Sequence, residues 1–282
     1  MAIRALTWNL FHGRDFPPDP ALRTWRSRLL RITERNATHL AVNRDLFDEF
    51  AAVLAAADWD VALLQEAPPR WQDGLAAACD AESHIALTSR NALAPLRSLL
   101  ARMNPDLIAS NEGGSNLTLV RRAAGEIAER RELVVRTGPQ PERRVLAFTR
   151  VVLAGGGELC VANTHLSTGP VRRQLAEEEL LLAAERSLEW AGAAPLILGG
   201  DLNLRPAETP AFDELRHRFA ITGATGPRAL DHLLTHDLDP VAPPTPWPPE
   251  RREVRVGGLA VRLSDHSPVE GTFTPRSRQP DW

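Results

Sequence analysis

The sequence predicts one α/β domain whose β-sheets are largely buried. Short apolar runs alternate with longer stretches of helical spacing along all 282 residues, a pattern typical of sheets covered by helices. This length suits one large or two ordinary domains, and we find neither an internal repeat nor a composition break that would divide the chain. Hydrophobic residues make up 43% and charged residues 24%, as in ordinary globular proteins.

The predicted strands are short apolar runs bounded by turn residues. In chain order they are residues 3–10, 59–66, 83–89, 115–122, 144–154, 158–167, 195–203 and 228–238. A hairpin that turns at Gly257 and Gly258, followed by a last strand, completes the set.

The predicted helices repeat apolar residues every three or four positions. They are residues 43–57, 70–79, 92–103 and 171–191. Residues 239–250, DPVAPPTPWPPE, contain too many prolines for a helix or a central strand, so we expect a surface loop there. Residues 14–44 carry seven arginines and three acidic residues. We interpret them as a helical insertion that is either a solvated excursion or a basic flap over a site for a phosphorylated substrate.

Composition indicates the cellular compartment of the protein but does not identify a binding partner. The formal net charge of −3 gives no global sign of a nucleic-acid or membrane partner, and every basic side chain except histidine is arginine. Cys79 and Cys160 lie far apart in apolar surroundings, which favours two buried thiols in a reducing compartment. No apolar run approaches the ~20 residues that cross a bilayer, and a strand-like segment begins at the N-terminus. We therefore expect a cytoplasmic monomer.

Polar side chains stand where several apolar strands end or begin. These residues are Asn9, Glu66, His165, Asp201, Asn203, Asp231, Asp265 and His266. Ligands of α/β proteins bind beyond the carboxyl ends of strands. A single residue of this kind is usually a cap or a solvated strand end, but these eight residues lie at six different strand ends, which predicts a shared site.

Local geometry limits how these residues meet. Residues two apart on an extended chain point the same way, so Asp201 and Asn203 are expected to face one site with Leu202 packed behind them. Asp265 and His266 are neighbours, and a regular strand would send them to opposite faces. Both can serve one site only if the last strand has not yet begun at that point.

The residue types indicate a hard-oxygen site suited to Mg²⁺ or Mn²⁺. Zinc is disfavoured, because the sequence lacks a Cys-x-x-Cys motif and the segment HLLTH at 232–236 lacks the glutamate of a zinc helix. The sequence also lacks a phosphate-binding loop ending in lysine and a Gly-x-Ser-x-Gly nucleophile motif.

Seven sequence blocks, which together contain these residues, resemble in content and in order those of the endonuclease/exonuclease/phosphatase superfamily of metal-dependent phosphoesterases. The blocks are LTWNLFHG, WDVALLQE, SNLTLVRR, VANTHLS, LILGGDLN, ALDHLLT and LSDHSPV, which extend from residue 6 to residue 269. This resemblance implies a four-layer sandwich of two packed mixed sheets with helices outside. It also implies divalent-metal-dependent hydrolysis of a phosphoester by water.

The resemblance also assigns roles. Glu66 corresponds to the family's metal-binding glutamate, Asn9 to the asparagine beside it, and Asp265 to the late aspartate near the metal. Asp201 corresponds to the aspartate that orients or deprotonates the attacking water, and Asn203 to its amide partner.

Further matches concern the phosphoryl group. His266 resembles the histidine that contacts it, and Asp231 the carboxylate that holds this histidine in one tautomer. His165 resembles the phosphate-contacting histidine of the deoxyribonuclease and sphingomyelinase branches, and Asn116 resembles a strand asparagine of the family. The insertion begins with His12 and Arg14 beside the site, so we expect it to help select the substrate.

The identity of the substrate stays open. A nuclease is the first interpretation, and phosphodiester or phosphomonoester hydrolysis on a lipid headgroup or inositol phosphate is the alternative. A lipid enzyme should expose an apolar loop, for which the segment around Trp247 is a candidate. A catalytically inactive binding module is the remote third reading, because it should have lost a ligand or proton-transfer residue and none is missing.

Overall fold

The computed structural model describes residues 2–89, 94–137, 143–169 and 172–276. Its fifteen strands, in chain order, are β1 (Ile3–Asn9), β2 (Glu34–Arg35), β3 (Leu40–Ala41), β4 (Val61–Gln65), β5 (Ala81–Leu87), β6 (Ser115–Arg121), β7 (Gly125–Thr137), β8 (Arg143–Leu153), β9 (Glu158–His165), β10 (Leu196–Asp201), β11 (Asp231–His236), β12 (Leu238–Pro246), β13 (Glu253–Val256), β14 (Leu259–Arg262) and β15 (Val269–Pro275). The helices of the described ranges are α1 (Trp25–Leu30), α2 (Phe47–Ala56), α3 (Gln72–Ala78), α4 (Ala94–Met103), α5 (Pro105–Glu112), α6 (Arg173–Ala191) and α7 (Ala211–Phe219).

Two large sheets form the centre of the fold. Sheet A has six strands in the order β12-β15-β1-β4-β6-β5, and sheet B has five in the order β11-β10-β9-β8-β7. Both sheets are mixed. In sheet A, β1 pairs parallel with β4 and antiparallel with β15, and in sheet B, β10 pairs parallel with β9 and antiparallel with β11.

The period-two alternation of the strands divides the apolar side chains into three layers. In β4, Val61 and Leu63 face sheet B, whereas Ala62 and Leu64 face a cluster that includes residues of α2 and α3. In β10, Ile197 joins the layer between the sheets, and its neighbours pack with α6 and α7. The expected four-layer α/β sandwich, two mixed sheets with helices outside, is confirmed.

The proline-rich segment differs from its prediction. Most of residues 239–250 belong to β12, which pairs antiparallel with β15 and shifts register between Pro240 and Ala242 and again before Thr245. The predicted loop is therefore wrong for this stretch. Because β12 lies at the edge of sheet A, its prolines withhold no hydrogen bond from a second neighbour, and the bulges absorb the irregular pairing.

The basic insertion is only partly helical. Its helix α1 has six residues, and the rest includes the small β2–β3 pair. The hairpin at Gly257 and Gly258 is confirmed as β13–β14, which forms a separate two-stranded sheet. Residues 92–93 of one predicted helix and residues 171 and 277–282 lie outside the described part of the chain.

Candidate active site

Sheet B aligns three of the expected site residues in one row. His165 ends β9, Asp201 ends β10 and Asp231 begins β11, and the register pairs Asp201 with both of the others. Residues paired across neighbouring strands project on the same face. The three side chains therefore meet where these strands end or begin, on one face of the sheet. The Nε2 of His165 lies 3.4 Å from the Oδ2 of Asp201.

Sheet A contributes Asn9 and Glu66 from two parallel neighbours. Asn9 ends β1 in register with Gln65, and Glu66 follows directly after β4. Glu66 has a φ of 47°, so the chain leaves the strand at once and the carboxylate does not follow the strand's alternation. Asn9 connects the two sheets, since its Nδ2 donates to the Oδ2 of Asp201 at 3.0 Å.

The segment before β15 is a bend, as the neighbouring positions of Asp265 and His266 require. Ser264 has a φ of 61°, and β15 begins only at Val269. The hydroxyl of Ser264 donates to the carbonyl of Asn9 at 2.6 Å and accepts the backbone N–H of His266 at 3.0 Å. The indole N–H of Trp8 donates to the carbonyl of His266. These contacts fix the bend and leave the Asp265 side chain exposed.

His266 lies between two carboxylates. Its Nδ1 is 2.8 Å from the Oδ2 of Asp231, and its Nε2 is 3.7 Å from the Oδ2 of Asp201. The Asp231 contact orients the ring so that Nε2 faces the site.

Asn203 reaches the site by a different path from the one expected. Its φ is 52°, so residues 201–203 form a turn and not an extended strand. Its backbone N–H donates to the Oδ1 of Asp201 at 3.1 Å, and its Nδ2 donates to the carbonyl of Leu166. Leu202 is buried in the core as expected. The turn makes Asn203 a direct hydrogen-bond donor to Asp201.

Burial and charge set unusual protonation states here. Burial, reinforced by the charge of Asp231, raises the pKa of Asp201 to about 7. Burial alone would lower the pKa of His266, but the hydrogen bond to Asp231 and the charges of Asp231 and Asp201 outweigh it and raise that pKa to about 10. Burial lowers the pKa of His165 to about 3. Near neutral pH, the imidazole of His266 is therefore charged and that of His165 is neutral.

Two groups of residues in this site have metal-ligand chemistry. Among the described residues, Asp201, Asp231 and His266 bring potential ligand atoms within 4.8 Å of one another. His266 is a poor ligand there, because Asp231 occupies its Nδ1 and favours the imidazolium form. Glu66 and Asn9 instead offer a carboxylate and an amide oxygen, with Asp265 exposed nearby. These are hard-oxygen donors that fit Mg²⁺ or Mn²⁺.

The remaining three expected residues, His12, Arg14 and Asn116, make different contacts around the site. The Nε2 of His12 is 3.2 Å from the Oε2 of Glu66. The Arg14 guanidinium lies 3.8 Å from the Phe11 ring centroid, and its Nε donates to the Phe11 carbonyl. Asn116 is fully buried and donates to the carbonyl of Val145 between the sheets. Its contact with substrate therefore stays a prediction.

Two residues of the site were not identified from sequence. Arg144 is buried and lines a pocket of about 570 Å³ together with Glu66 and His165. Arg144 lies near the start of an apolar strand, and nothing in the sequence there indicates that it faces the site. Ser264 positions both Asn9 and His266, and its place directly before Asp265 and His266 was the available signal.

Known proteins resemble this chain in sequence and in fold. Residues 6–266 match the model of the Endonuclease/Exonuclease/phosphatase family. The chain belongs to this family. The match includes every strand end that contributes to the site, from Asn9 to His266, and family membership supports hydrolysis of phosphoesters. No curated protein matches the sequence in a sequence comparison.

Solved structures share the endonuclease/exonuclease/phosphatase fold at low identity. A mannosyl-6-phosphatase of Bacteroides thetaiotaomicron is 14% identical with a TM-score of 0.65, over 96% of this chain and 99% of that one. The catalytic domain of human Nocturnin, with bound sulfate, is 14% identical with a TM-score of 0.65, over 97% and 94%. An endonuclease/exonuclease/phosphatase from Beutenbergia cavernae is 18% identical with a TM-score of 0.66, over 98% and 72%. No described helix is both long and apolar enough to span a membrane.

Proposed function

We propose that the chain is a divalent-metal-dependent phosphodiester hydrolase that uses direct attack by water. The observation that carries this proposal is the convergence on Asp201. A buried carboxylate with a pKa of about 7 lies 3.7 Å from an imidazole whose pKa is about 10. The pair supplies a proton acceptor and a cation at one point, and both are needed to hydrolyse an anionic ester.

Asp201 is the proposed general base. A base with a pKa near the working pH combines a useful ionised fraction with the ability to hold a proton. The Nδ2 of Asn9 and the backbone N–H of Asn203 each donate to one of its oxygens, so the carboxylate has a fixed orientation. Water bound against Asp201 would lose its proton to this carboxylate as it attacks phosphorus.

His266 is the proposed stabiliser of negative charge on the phosphoryl oxygens. Asp231 keeps its ring oriented and protonated, so Nε2–H can donate to a non-bridging oxygen. His165 is neutral, and its Nε2 lies beside Asp201. We propose that it is a second, uncharged hydrogen-bond donor to the phosphoryl group.

Glu66 is the proposed principal metal ligand, with Asn9 and Asp265 beside it. A divalent ion bound there would supply Lewis acidity and positive charge to the phosphoryl oxygens. Mg²⁺ and Mn²⁺ are the candidates, because Mg²⁺ commonly binds through one or two carboxylates and completes its shell with water and substrate phosphate.

Substitution of the base and of the imidazole tests the reaction. We expect Asp201→Asn and His266→Ala each to lower the turnover of bis(p-nitrophenyl) phosphate by at least ~100-fold, the usual scale for a lost proton-transfer group or a lost donor to a developing negative charge. Asp213→Asn, on the exposed face of α7, is the matched control and should leave turnover unchanged. Near-wild-type turnover in either folded site variant would refute the assignment.

Metal dependence is tested through Glu66. Glu66→Gln keeps the side-chain shape but removes the charge, so we expect the Mg²⁺ or Mn²⁺ concentration for half-maximal activity to rise at least ~10-fold. Activity that survives exhaustive chelation in the wild-type chain would contradict the metal proposal.

A nucleic acid is the first candidate substrate. Arginines support it, since Arg14 adjoins the site and Arg97 and Arg144 line the pocket beside Glu66. Binding to phosphate backbones through arginines releases counterions, so the affinity for DNA or RNA should fall steeply with salt. Salt-independent binding would argue against a nuclease.

A lipid headgroup is the second candidate, but not for the reason expected from sequence. Trp247 is 4% exposed and its indole N–H donates to Glu270, so it cannot serve as an apolar anchor. The outer faces of α1 and α4 favour this candidate instead. Their exposed apolar side chains are Trp25, Leu29, Leu30, Leu96, Leu99, Leu100 and Met103. Sedimentation with phospholipid vesicles, and its loss in Trp25→Ser, would support a lipid substrate.

A further inference from the structure

The insertion, together with Phe11 and Asp106, lines a pocket of about 460 Å³. We call it the arginine pocket, because Arg14, Arg23 and Arg28 all line it. Phe11 and Phe16 form one wall, packed edge to face with ring centroids 5.7 Å apart. A pocket of this size can enclose a substituent of a small ligand.

The three guanidiniums are held by rings and carbonyls and not by carboxylates. Arg14 stacks on Phe11 and Arg23 on Phe16, at 3.8 and 4.1 Å from the ring centroids. Arg14 and Arg28 donate to the backbone carbonyl of Asp106 at 3.5 and 3.2 Å. Among the described residues, none of the three has a carboxylate oxygen within 4.0 Å. Each guanidinium has five N–H donors, so most remain available.

Two acidic residues, Asp15 and Asp106, also line the pocket beside the three arginines. The Oδ2 of Asp15 accepts the backbone N–H of Val42, and burial raises the pKa of Asp15 to about 7. Burial also raises the pKa of Asp106. Three guanidiniums outnumber the two carboxyl groups even when both are ionised, so the pocket keeps a net positive charge near neutral pH. An incoming anion would meet guanidinium donors beside aromatic faces.

Backbone hydrogen bonds connect the arginine pocket to the bend at residues 264–266, which carries His266. The backbone N–H of Phe16 donates to the carbonyl of Arg262, and the N–H of Ser264 donates to the carbonyl of Arg14. On the other side, the N–H of Phe11 donates to the Oδ1 of Asn9. A ligand that fills the pocket therefore contacts the chain segments that position the proposed metal ligand and the catalytic histidine.

We propose that the arginine pocket binds a second anionic group of the substrate, a phosphate or carboxylate separate from the ester that is cleaved. This inference rests on the proposed function for the existence of a substrate, but binding to the pocket is measurable without turnover. The preferred substrate would therefore carry two anionic groups, and the insertion would select it over esters with only one.

The first test measures binding of inorganic phosphate by calorimetry, in EDTA and in a His266→Ala background that weakens the catalytic anion site. We expect phosphate to bind and Arg23→Gln/Arg28→Gln to raise its dissociation constant at least ~10-fold, since both substitutions remove charge-assisted donors. Arg26→Gln is the matched control, because Arg26 is exposed on the helix that carries Arg28 and does not line the pocket.

Two outcomes would overturn the proposal. One is no phosphate binding in the His266→Ala background, and the other is binding that the double substitution leaves unchanged. Unfolding curves establish that the variants fold. If the double variant does not fold, Arg28→Gln alone is compared with Arg28→Lys, and recovery of phosphate affinity by the lysine would support a site for charge.

The second test identifies the source of the anion. We expect the wild-type chain to hydrolyse the 5′-phosphorylated dinucleotide pTpT with a KM at least ~5-fold below that of TpT, and this preference to vanish in Arg23→Gln/Arg28→Gln. An unchanged preference, with TpT hydrolysis altered by added phosphate, would assign the pocket to a free anion and overturn the substrate role. If the wild-type chain cleaves neither dinucleotide, the proposed nuclease function fails while the phosphate-binding result still stands.

Discussion

Asp231 influences both protonation states on which the proposed chemistry depends. Its Oδ2 is bonded to the Nδ1 of His266, which favours the imidazolium, while its charge helps to raise the pKa of Asp201. The single carboxylate of Asp231 thus keeps His266 protonated and lets Asp201 titrate near neutral pH. In this way two neighbouring groups acquire different roles, one as a charged hydrogen-bond donor and the other as a general base.

The pH profile of Asp231→Asn tests this double influence. In the wild-type chain, kcat/KM should rise as Asp201 loses its proton near pH 7 and fall as His266 loses its proton near pH 10. Without the Asp231 charge, the pKa of each group falls, so both limbs should move to lower pH by about one unit or more. The profile is measured with bis(p-nitrophenyl) phosphate. Movement of neither limb, or of both limbs in Asp213→Asn, would contradict the argument.

Strand β10 places Asp201 by means of a close backbone approach. Gly200 has a φ of +136°, and a Cβ added there would lie 1.9 Å from the carbonyl oxygen of Thr164 in β9. No side chain fits this gap without displacing β9. The glycine therefore lets β9 and β10 present His165 and Asp201 side by side at the same edge.

Gly200→Ala should consequently destabilise the fold far more than its torsion angle alone predicts. Gly157 also has a positive φ, +87°, but a Cβ there would meet nothing within 4 Å. We expect Gly157→Ala to cost about 1 kcal/mol, which is the strain of the left-handed backbone. Gly200→Ala adds the clash and should cost at least ~3 kcal/mol. Urea unfolding compares the two, and equal losses of unfolding free energy would refute the steric explanation.

At the bend before β15, strand pairing brings the site residues together and a side-chain hydrogen bond fixes their positions. Sheet pairing carries β15 alongside β1, which brings residues 264–266 next to Asn9. The hydroxyl of Ser264 then determines the fine geometry, because it bonds to both Asn9 and His266. Neighbouring acid and histidine residues in the sequence required such a bend, but only the structure identifies the serine that stabilises it.

At the scale of the whole molecule, the sequence predicted every strand in the interior of the two large sheets and the edge strands β5 and β11, but not the edge strands β7 and β12. Strand β7 was missed because it lies at the edge of sheet B, where most of its residues, Gly125–Thr137, are exposed or only partly buried and many are charged. Strand β12 was mistaken for a loop because its prolines are tolerated only at an edge. Helices α5 and α7 are short and were not assigned.

The convergence of the candidate site residues could be predicted from sequence, but their contacts could not. A polar residue at the end of an apolar run is visible in one dimension, which is why Asn9, Glu66 and Asp201 were identified. The hydrogen bond between Asn9 and Asp201 joins residues 192 positions apart in different sheets, and no spacing rule predicts it. The same holds for Gln65 and Asn163, whose side chains bond to each other between the sheets beneath the site.

Asp15 links the insertion to the pH dependence of global stability. It is buried, accepts the N–H of Val42, and has a pKa of about 7 because burial disfavours its charged form. The usual value for an aspartate in an unfolded chain is about 3.9. Between these two values the folded chain binds more protons than the unfolded chain, so this residue lowers stability progressively as pH rises from about 4 to about 7.

Asp15→Asn should remove that loss, because asparagine does not ionise and its amide oxygen can still accept the Val42 N–H. The variant should therefore gain stability over the wild-type chain as pH rises from 5 to 8, by a few kcal/mol at most, since one pKa unit corresponds to about 1.4 kcal/mol. Urea unfolding at pH 5, 6.5 and 8 measures the difference, with the exposed Asp213→Asn as control. A difference that stays constant across this range would mean that Asp15 is already ionised in the folded chain at pH 5.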